Sequence, residues 1–331
     1  MRIKQQNIIY IKLKKCYKIF YKKLIILILI VFVNSYNFYY LKKNIFKEKI
    51  CICTVGKKEN KYIMEYVEHY KNYGVDKIYL YDNNDIDGEY FESVINNYIK
   101  EGFVEILNWR GKETVVRSTM NDCYKRNNKN YDWLIFYELD EFVHLSNYSN
   151  IKHFLHEKKF SKCQIIHLNL LIHNDNNQLY YENKSLFERF PKIVSKLLVP
   201  MLQVKMIIKG GINDLEIIST AQSKSKMNLT YCNGFGDYSK IFIWYTNVTD
   251  YKYYYVDHFF SKSTEEFITK LAKGDGFAKG KALEDYKIFR IKRYFQYNDF
   301  SLKKLKFIEK GLNLNLSQFR NWKGLKWEIY Q

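Results

Sequence analysis

From residue 50 onward, short apolar runs alternate with helix-period segments, and this alternation is what βαβ units around a parallel sheet require. Residues 50–55 form the first run. Ile63, Tyr66, Val67 and Tyr70 then fall at i, i+3, i+4 and i+7, one face of a helix that Gly74 closes. A second strand is expected over 77–81. Phe91, Val94, Ile95 and Tyr98 repeat the helical spacing before Gly102, and residues 103–109 read as a third strand. A third helix is expected over 114–126, a fourth strand over 133–137 and a further strand over 164–173; the pattern is then less regular until residue 262. Ser263 with Glu266 makes a capping box for a helix ending at Gly274, and Ser301 caps a last helix ending near Gly311. The fold class is α/β, a Rossmann-like, mostly parallel sheet flanked by helices.

In such a sheet ligands bind beyond the carboxyl ends of the strands. Two acidic groups fall at that rim, Asp82 to Asp85 after the second strand and Glu138 to Glu141 after the fourth. Strand alternation puts Glu138 and Asp140 on one face while Leu139 points into the core. Two carboxylates on one face suit a hard cation such as Mn²⁺ or Mg²⁺, which takes oxygen ligands and binds phosphate oxygens in its open positions. The chain has neither GxxxxGK[ST] nor GxGxxG, so P-loop and dinucleotide chemistry are poor candidates, and phosphate binding falls to a carboxylate and metal site.

Three blocks carry a family resemblance. The first runs from Lys58, Glu59 and Asn60 through Glu65, Tyr66, Val67, Glu68, His69 and Tyr70 to Gly74, Val75, Asp76, Tyr79, Tyr81, Asp82 and Asn83. The second is Trp133 through Glu138, Leu139, Asp140, Glu141 and Phe142. The third is Asp257, His258, Phe259, Phe260, Ser261, Lys262, Ser263, Glu265, Glu266, Phe267, Lys270 and Gly274. Together they resemble the glycosyltransferase family 2-like and family 92 enzymes over about residues 50–275. The resemblance implies a GT-A type fold over 50–331, a nucleotide-diphosphate sugar donor, and a Mn²⁺ or Mg²⁺ ion. It implies Asp140, Glu138 and His258 as metal-site residues, and Glu59, Asp82, Asn83, Glu138 and Lys262 as donor or nucleotide contacts. Glu141 and Asp214 are the candidate catalytic carboxylates, and the acceptor is a glycan, lipid or protein. Glu138 departs from the family's aspartate by one methylene. Asp257 stands where relatives often carry asparagine and adds negative charge beside the expected site.

Residues 1–49 hold +11 of the formal +19, and that excess lies beside the unbroken apolar run 24–33. A nucleic-acid binder spreads its cations over a folded face among aromatics, so no nucleic-acid partner is expected. Extended to residue 41 the run reaches eighteen residues, with Tyr36, Phe38, Tyr39 and Tyr40 at the headgroup level. No alanine precedes Ala221, so an A-x-A cleavage site is missing and an uncleaved membrane anchor over about 24–41 is expected. With eight basic residues before the run and four after it, the N-terminus is expected in the cytoplasm as part of a single-pass protein. The six cysteines form no CxxC pair and read as small core residues, Cys51 and Cys53 on one face of a strand. N-x-S/T sequons occur at Asn147, Asn183, Asn228, Asn247 and Asn315. The competing function is a membrane-tethered carbohydrate-binding or scaffold protein on a degenerate glycosyltransferase fold, since fold alone does not prove turnover.

Overall fold

The computed structural model describes residues 21–34, 47–194, 203–240, 253–274 and 281–322. The chain divides into two compact units, residues 1–47 and residues 48–331. In the first, residues 21–34 form helix α1, whose apolar side chains Leu24 to Val33 are all exposed. Among the described residues no helix is long and apolar enough to cross a membrane, and the second part of the expected anchor, 35–41, lies outside them.

The second unit begins with β1 (Ile50–Gly56), α2 (Asn60–Asn72), β2 (Lys77–Asp82), α3 (Glu92–Lys100), β3 (Val104–Asn108), α4 (Val116–Asn127) and β4 (Trp133–Ile135). These follow the periodicity closely. β5 (Glu141–Leu145), α5 (Ile151–His156), β6 (Ile165–Ile172), α6 (Leu186–Arg189) and β7 (Val204–Lys209) come next. Then follow β8 (Glu216–Ile217), β9 (Ser223–Lys224), β10 (Tyr231–Asn233), β11 (Tyr238–Ser239) and β12 (Tyr254–His258). The chain closes with α7 (Thr264–Ala272), α8 (Lys281–Tyr297) and α9 (Leu302–Leu312). The expected caps are present: Ser263 and Glu266 form the reciprocal box on α7, and Ser301 accepts from Lys304 N on α9. Gly74 closes α2 with φ +83°, a conformation that favours glycine.

Ten strands make one sheet in the order β11-β10-β6-β7-β4-β1-β2-β3, with β12 paired to β5 and β6. β3, β2, β1 and β4 are parallel, the βαβ half that the alternation predicted. β7 enters antiparallel between β4 and β6, so the other half is mixed. β1 shows why both faces are dry: Ile50 and Ile52 enter one apolar cluster, while Cys51 and Cys53 enter the cluster on the opposite side. A strand covered on both faces reads as a continuous apolar run.

The cysteines correct one expectation. Cys53 bonds to Cys123 of α4, and Cys163 to Cys232 of β10; among the described residues only Cys51 is a free, buried thiol. The partners lie 70 and 69 residues apart in sequence, so spacing carries no sign of the pairing. Each bridge closes a long loop and restricts the unfolded chain by about 4 kcal/mol in the chain-entropy account. Proteolysis of the unreduced protein followed by mass spectrometry should yield both cross-linked peptide pairs, with Cys51 alkylated only after unfolding. Alkylation of Cys53 or Cys123 in the folded, unreduced protein would refute the assignment.

Candidate functional site

After β4 the chain turns through Glu138–Glu141, with Glu141 N donating to the Glu138 carbonyl at 3.0 Å. This turn, rather than strand alternation, brings the carboxylates together, because the β4 ladder already ends at Ile135. Leu139 packs inward against Gly56, where a Cβ would sit 2.7 Å from both Leu139 Cδ1 and Phe91 Cζ. Glycine at the end of β1 therefore lets the turn seat. β5 departs with Glu141, and the antiparallel register places His258 of β12 directly opposite it. One ligand atom from each of Glu138, Asp140, Glu141 and His258 lies within 4.8 Å of the others.

Three lysines answer the three acids. Lys205 of β7 lies 2.9 Å from Glu138 Oε2 and 2.7 Å from Glu141 Oε1. Lys270 of α7 donates to Asp140 Oδ2 at 2.6 Å, and Lys262 lies 3.5 Å from the same oxygen. Lys262 sits in the left-handed region, φ 51°, with its ammonium 4.2 Å from the Tyr62 ring centre. A non-glycine residue held there costs on the order of 1 kcal/mol or more and persists only where its surroundings fix it. Glu266 supplies that fixing: it accepts from Ser263 N and from both Arg189 guanidinium nitrogens and Tyr62 Oη.

Burial raises the carboxyl of Asp140, but the Lys270 and Lys262 ammonium groups outweigh it and hold it well below the usual range. Glu138 is likewise held low, burial being overcome chiefly by Lys205; its side chain is 42% exposed, so solvent softens that shift. Glu141 goes the other way: complete burial, with Glu138 and Asp140 alongside, pushes it up despite Lys205. Burial lowers His258 to about 3, so its ring is neutral and has a lone pair to offer a cation.

The donor set fits a divalent cation. Among the described residues both ring nitrogens of His258 are buried without a hydrogen-bond partner, an expense that a coordinated ion removes. Beside Glu138 a pocket opens between β1, β2 and α4, lined among others by Thr54, Tyr81, Val116, Thr119, Phe136 and Thr220.

The other expected site residues divide. Lys262 joins the cluster, and buried Glu59 adjoins it through Lys262 at 3.7 Å and an ion pair with Lys273. Asp82 and Asn83 lie at the end of β2, committed to the chain itself: Asp82 pairs with Arg110 at 2.6 Å, and Asn83 donates to the Trp109 and Lys112 carbonyls. Arg110 in turn holds the Asp85 and Gly88 carbonyls, so Asp82 anchors the rim loop. Asp214 is not brought in; it lies exposed on the turn after β7, whose last residue, Lys209, pairs with Trp133 at the far end of β4. Asp257 also turns away from the cluster, one residue before His258 on β12, and meets His173 Nε2 at 2.7 Å. Lys205 and Lys270 were missed. Lys205 had a signal, as the one charge inside the apolar stretch 204–208, whereas Lys270 reads in sequence as a solvated helix lysine.

Residues 49–272 match the family model described as Glycosyltransferase family 92. The chain belongs to that family. A family 92 glycosyltransferase protein of Ricinus communis is 25% identical over 129 residues, 38% of this chain and 22% of that protein. One of Oryza sativa subsp. japonica is 26% identical over 110 residues, 33% of this chain and 18% of that protein. The matched segments thus span about a fifth of those relatives' length. The crystal structure of S. aureus TarS 1-349 in complex with UDP-GlcNAc aligns with 80% of this chain and 79% of its own, at 10% identity and a TM-score of 0.36. Family 92 membership supports glycosyltransferase chemistry, and the acidic cluster is compatible with a divalent cation.

His69 and His167, each lowered to about 4 by burial, and His258 must all take up a proton when this family 92 chain unfolds in mild acid. The unfolded state binds more protons between pH 6.5 and these lowered values, so stability falls as pH drops through that window. Glu266, lowered to about 2 because the bonds from Arg189, Ser263 and Tyr62 outweigh burial, contributes its own loss only below about pH 4.5. The thermal midpoint should therefore decline from pH 6.5 to 4.5, and His167→Gln should flatten the decline. An unchanged slope in that variant would contradict the assignment.

Proposed function

We propose that this protein transfers a hexosyl group from a nucleotide-diphosphate sugar to a glycan, lipid or protein hydroxyl, with Mn²⁺ or Mg²⁺ bound at Glu138, Asp140, Glu141 and His258. The observation that carries this reading is the meeting of those four groups at the carboxyl rim of a parallel sheet, in a family 92 chain. A bound cation would supply Lewis-acid neutralisation of the departing diphosphate. Asp140 and Glu138, held ionised by their lysines, present the negative charge that retains such an ion. Asp82 and Arg110 keep the neighbouring loop of the same rim in place. Glu141 is sealed from solvent, so its part is in the cation site rather than as base toward an acceptor hydroxyl. In the reaction the bond from the anomeric carbon to the diphosphate breaks, one to the acceptor oxygen forms, and the acceptor proton passes to a base.

With Mn²⁺ or Mg²⁺ the purified protein should turn over a UDP- or GDP-sugar, and chelation should abolish this. Asp140→Ala should lower kcat by on the order of 100-fold or more, in line with removal of a group that acts where charge develops. Full activity in chelator, or in the variant, would end the reading.

We also propose that residues 1–47 hold the protein to a membrane and that the second unit faces an oxidising compartment. The exposed apolar helix α1 with its basic neighbours supports the first statement, and two disulfides support the second. On cell fractionation the full chain should sediment with membranes and lose that property when residues 1–47 are removed. Added protease should spare the second unit in sealed vesicles until detergent opens them, and its digestion without detergent would place it in the cytosol.

A further inference from the structure

The acids already have ammonium partners: Lys205 lies between Glu138 and Glu141, and Lys262 and Lys270 converge on Asp140. A divalent ion entering alone must compete with ammonium groups for the oxygens it needs, above all Asp140 Oδ2, on which two of the three lysines converge. The three are not equally able to leave. The Lys205 side chain is 6% exposed and lies between two carboxylates. That of Lys262 is 4% exposed, held by its left-handed backbone, by Glu59 and by the Tyr62 ring. Lys270 is 22% exposed, it lies over the face of Phe260 at 5.4 Å, and it sits in the last turn of α7, where its side chain can change rotamer.

We propose that Lys270 is a built-in counter-ion of Asp140 that transfers to the diphosphate of the donor, so that cation and diphosphate enter the site together. This rests on the metal-dependent donor reading above. In the empty site Lys270 satisfies Asp140 and opposes the cation. When a diphosphate arrives, Lys270 turns to its oxygens, as a flexible point charge suited to phosphate, and frees Oδ2 for the ion. The two ligands then assist each other. By linkage the cation tightens diphosphate binding by the same factor as the diphosphate tightens the cation, on the order of 5- to 150-fold for couplings of this kind. Lys262 and Lys205 stay in place, keeping Asp140 and Glu138 ionised in both states.

The test is Mn²⁺ binding to the full-length protein, read from the electron paramagnetic resonance of free Mn²⁺, alone and with UDP or GDP. Asp140→Asn serves as the blank for Mn²⁺ held by the nucleotide itself. Wild-type protein should bind Mn²⁺ at least fivefold more tightly with nucleotide. Lys270→Met, close in volume, should bind Mn²⁺ more tightly than wild type in the absence of nucleotide and lose most of the enhancement. Equal Mn²⁺ affinity with and without nucleotide in the wild type would overturn the proposal and leave the metal site standing, as would weaker nucleotide-free Mn²⁺ binding in Lys270→Met. No Mn²⁺ binding above the blank under any condition would remove both the proposal and the metal-dependent reading beneath it.

Discussion

Three carboxylates crowded into a largely dry space are tolerable only because three ammonium groups enter with them, and much of the surrounding architecture serves that balance. Isolated charges of this kind would cost several kcal/mol each on burial. Removing one lysine would leave an uncompensated acid, so the elements that deliver Lys205, Lys262 and Lys270 are as much part of the site as the turn that delivers the acids. β7 brings Lys205 by running antiparallel between β4 and β6. The other two come from α7 and the residues just before it.

The delivery by α7 has a simple spacing. Lys262, Glu266 and Lys270 are four residues apart; Glu266 and Lys270 share one face of the helix, and Lys262 lies one turn's length before Glu266, just outside the cap. Glu266 closes the capping box, and Arg189 and Tyr62 grip the same carboxylate. One buried acid thus fixes the helix start, ties it to α2 and α6, and sets where both lysines emerge. The capping box was visible in the sequence as Ser263 and Glu266, but its consequence for charge placement was not.

That contrast describes the legibility of the whole chain. β1, β2, β3 and the helices that follow them show in the sequence because each is long enough to display its own period, β4 is marked by the apolar run 133–137, and the acidic rim follows from the rule that ligands gather at carboxyl ends. β8, β9 and β11 have two residues each and β10 three, too few for any period to register. The pairings Cys53–Cys123 and Cys163–Cys232 depend on contacts between distant elements, which no local pattern encodes. Asp214 and Asp257 show the same limit from the other side. Both are acids in plausible stretches, and only the direction of β7 and the pleat of β12 remove them from the cluster.

His258 carries the argument furthest from sequence to chemistry. Its position at the end of β12 sets it opposite Glu141, and a parallel pairing with β6 holds the strand from the other side. Two neighbours fix the backbone, yet neither offers the ring a hydrogen bond, so a neutral imidazole is kept in the dry interior with both nitrogens unmet among the described residues. The other two histidines that burial lowers each find a carbonyl, His69 at Val143 and His167 at Ala221. Of these three rings, the one left without a hydrogen-bond partner among the described residues is the one facing Asp140 and Glu141 at 3.8 Å, the spacing an intervening ion would fill.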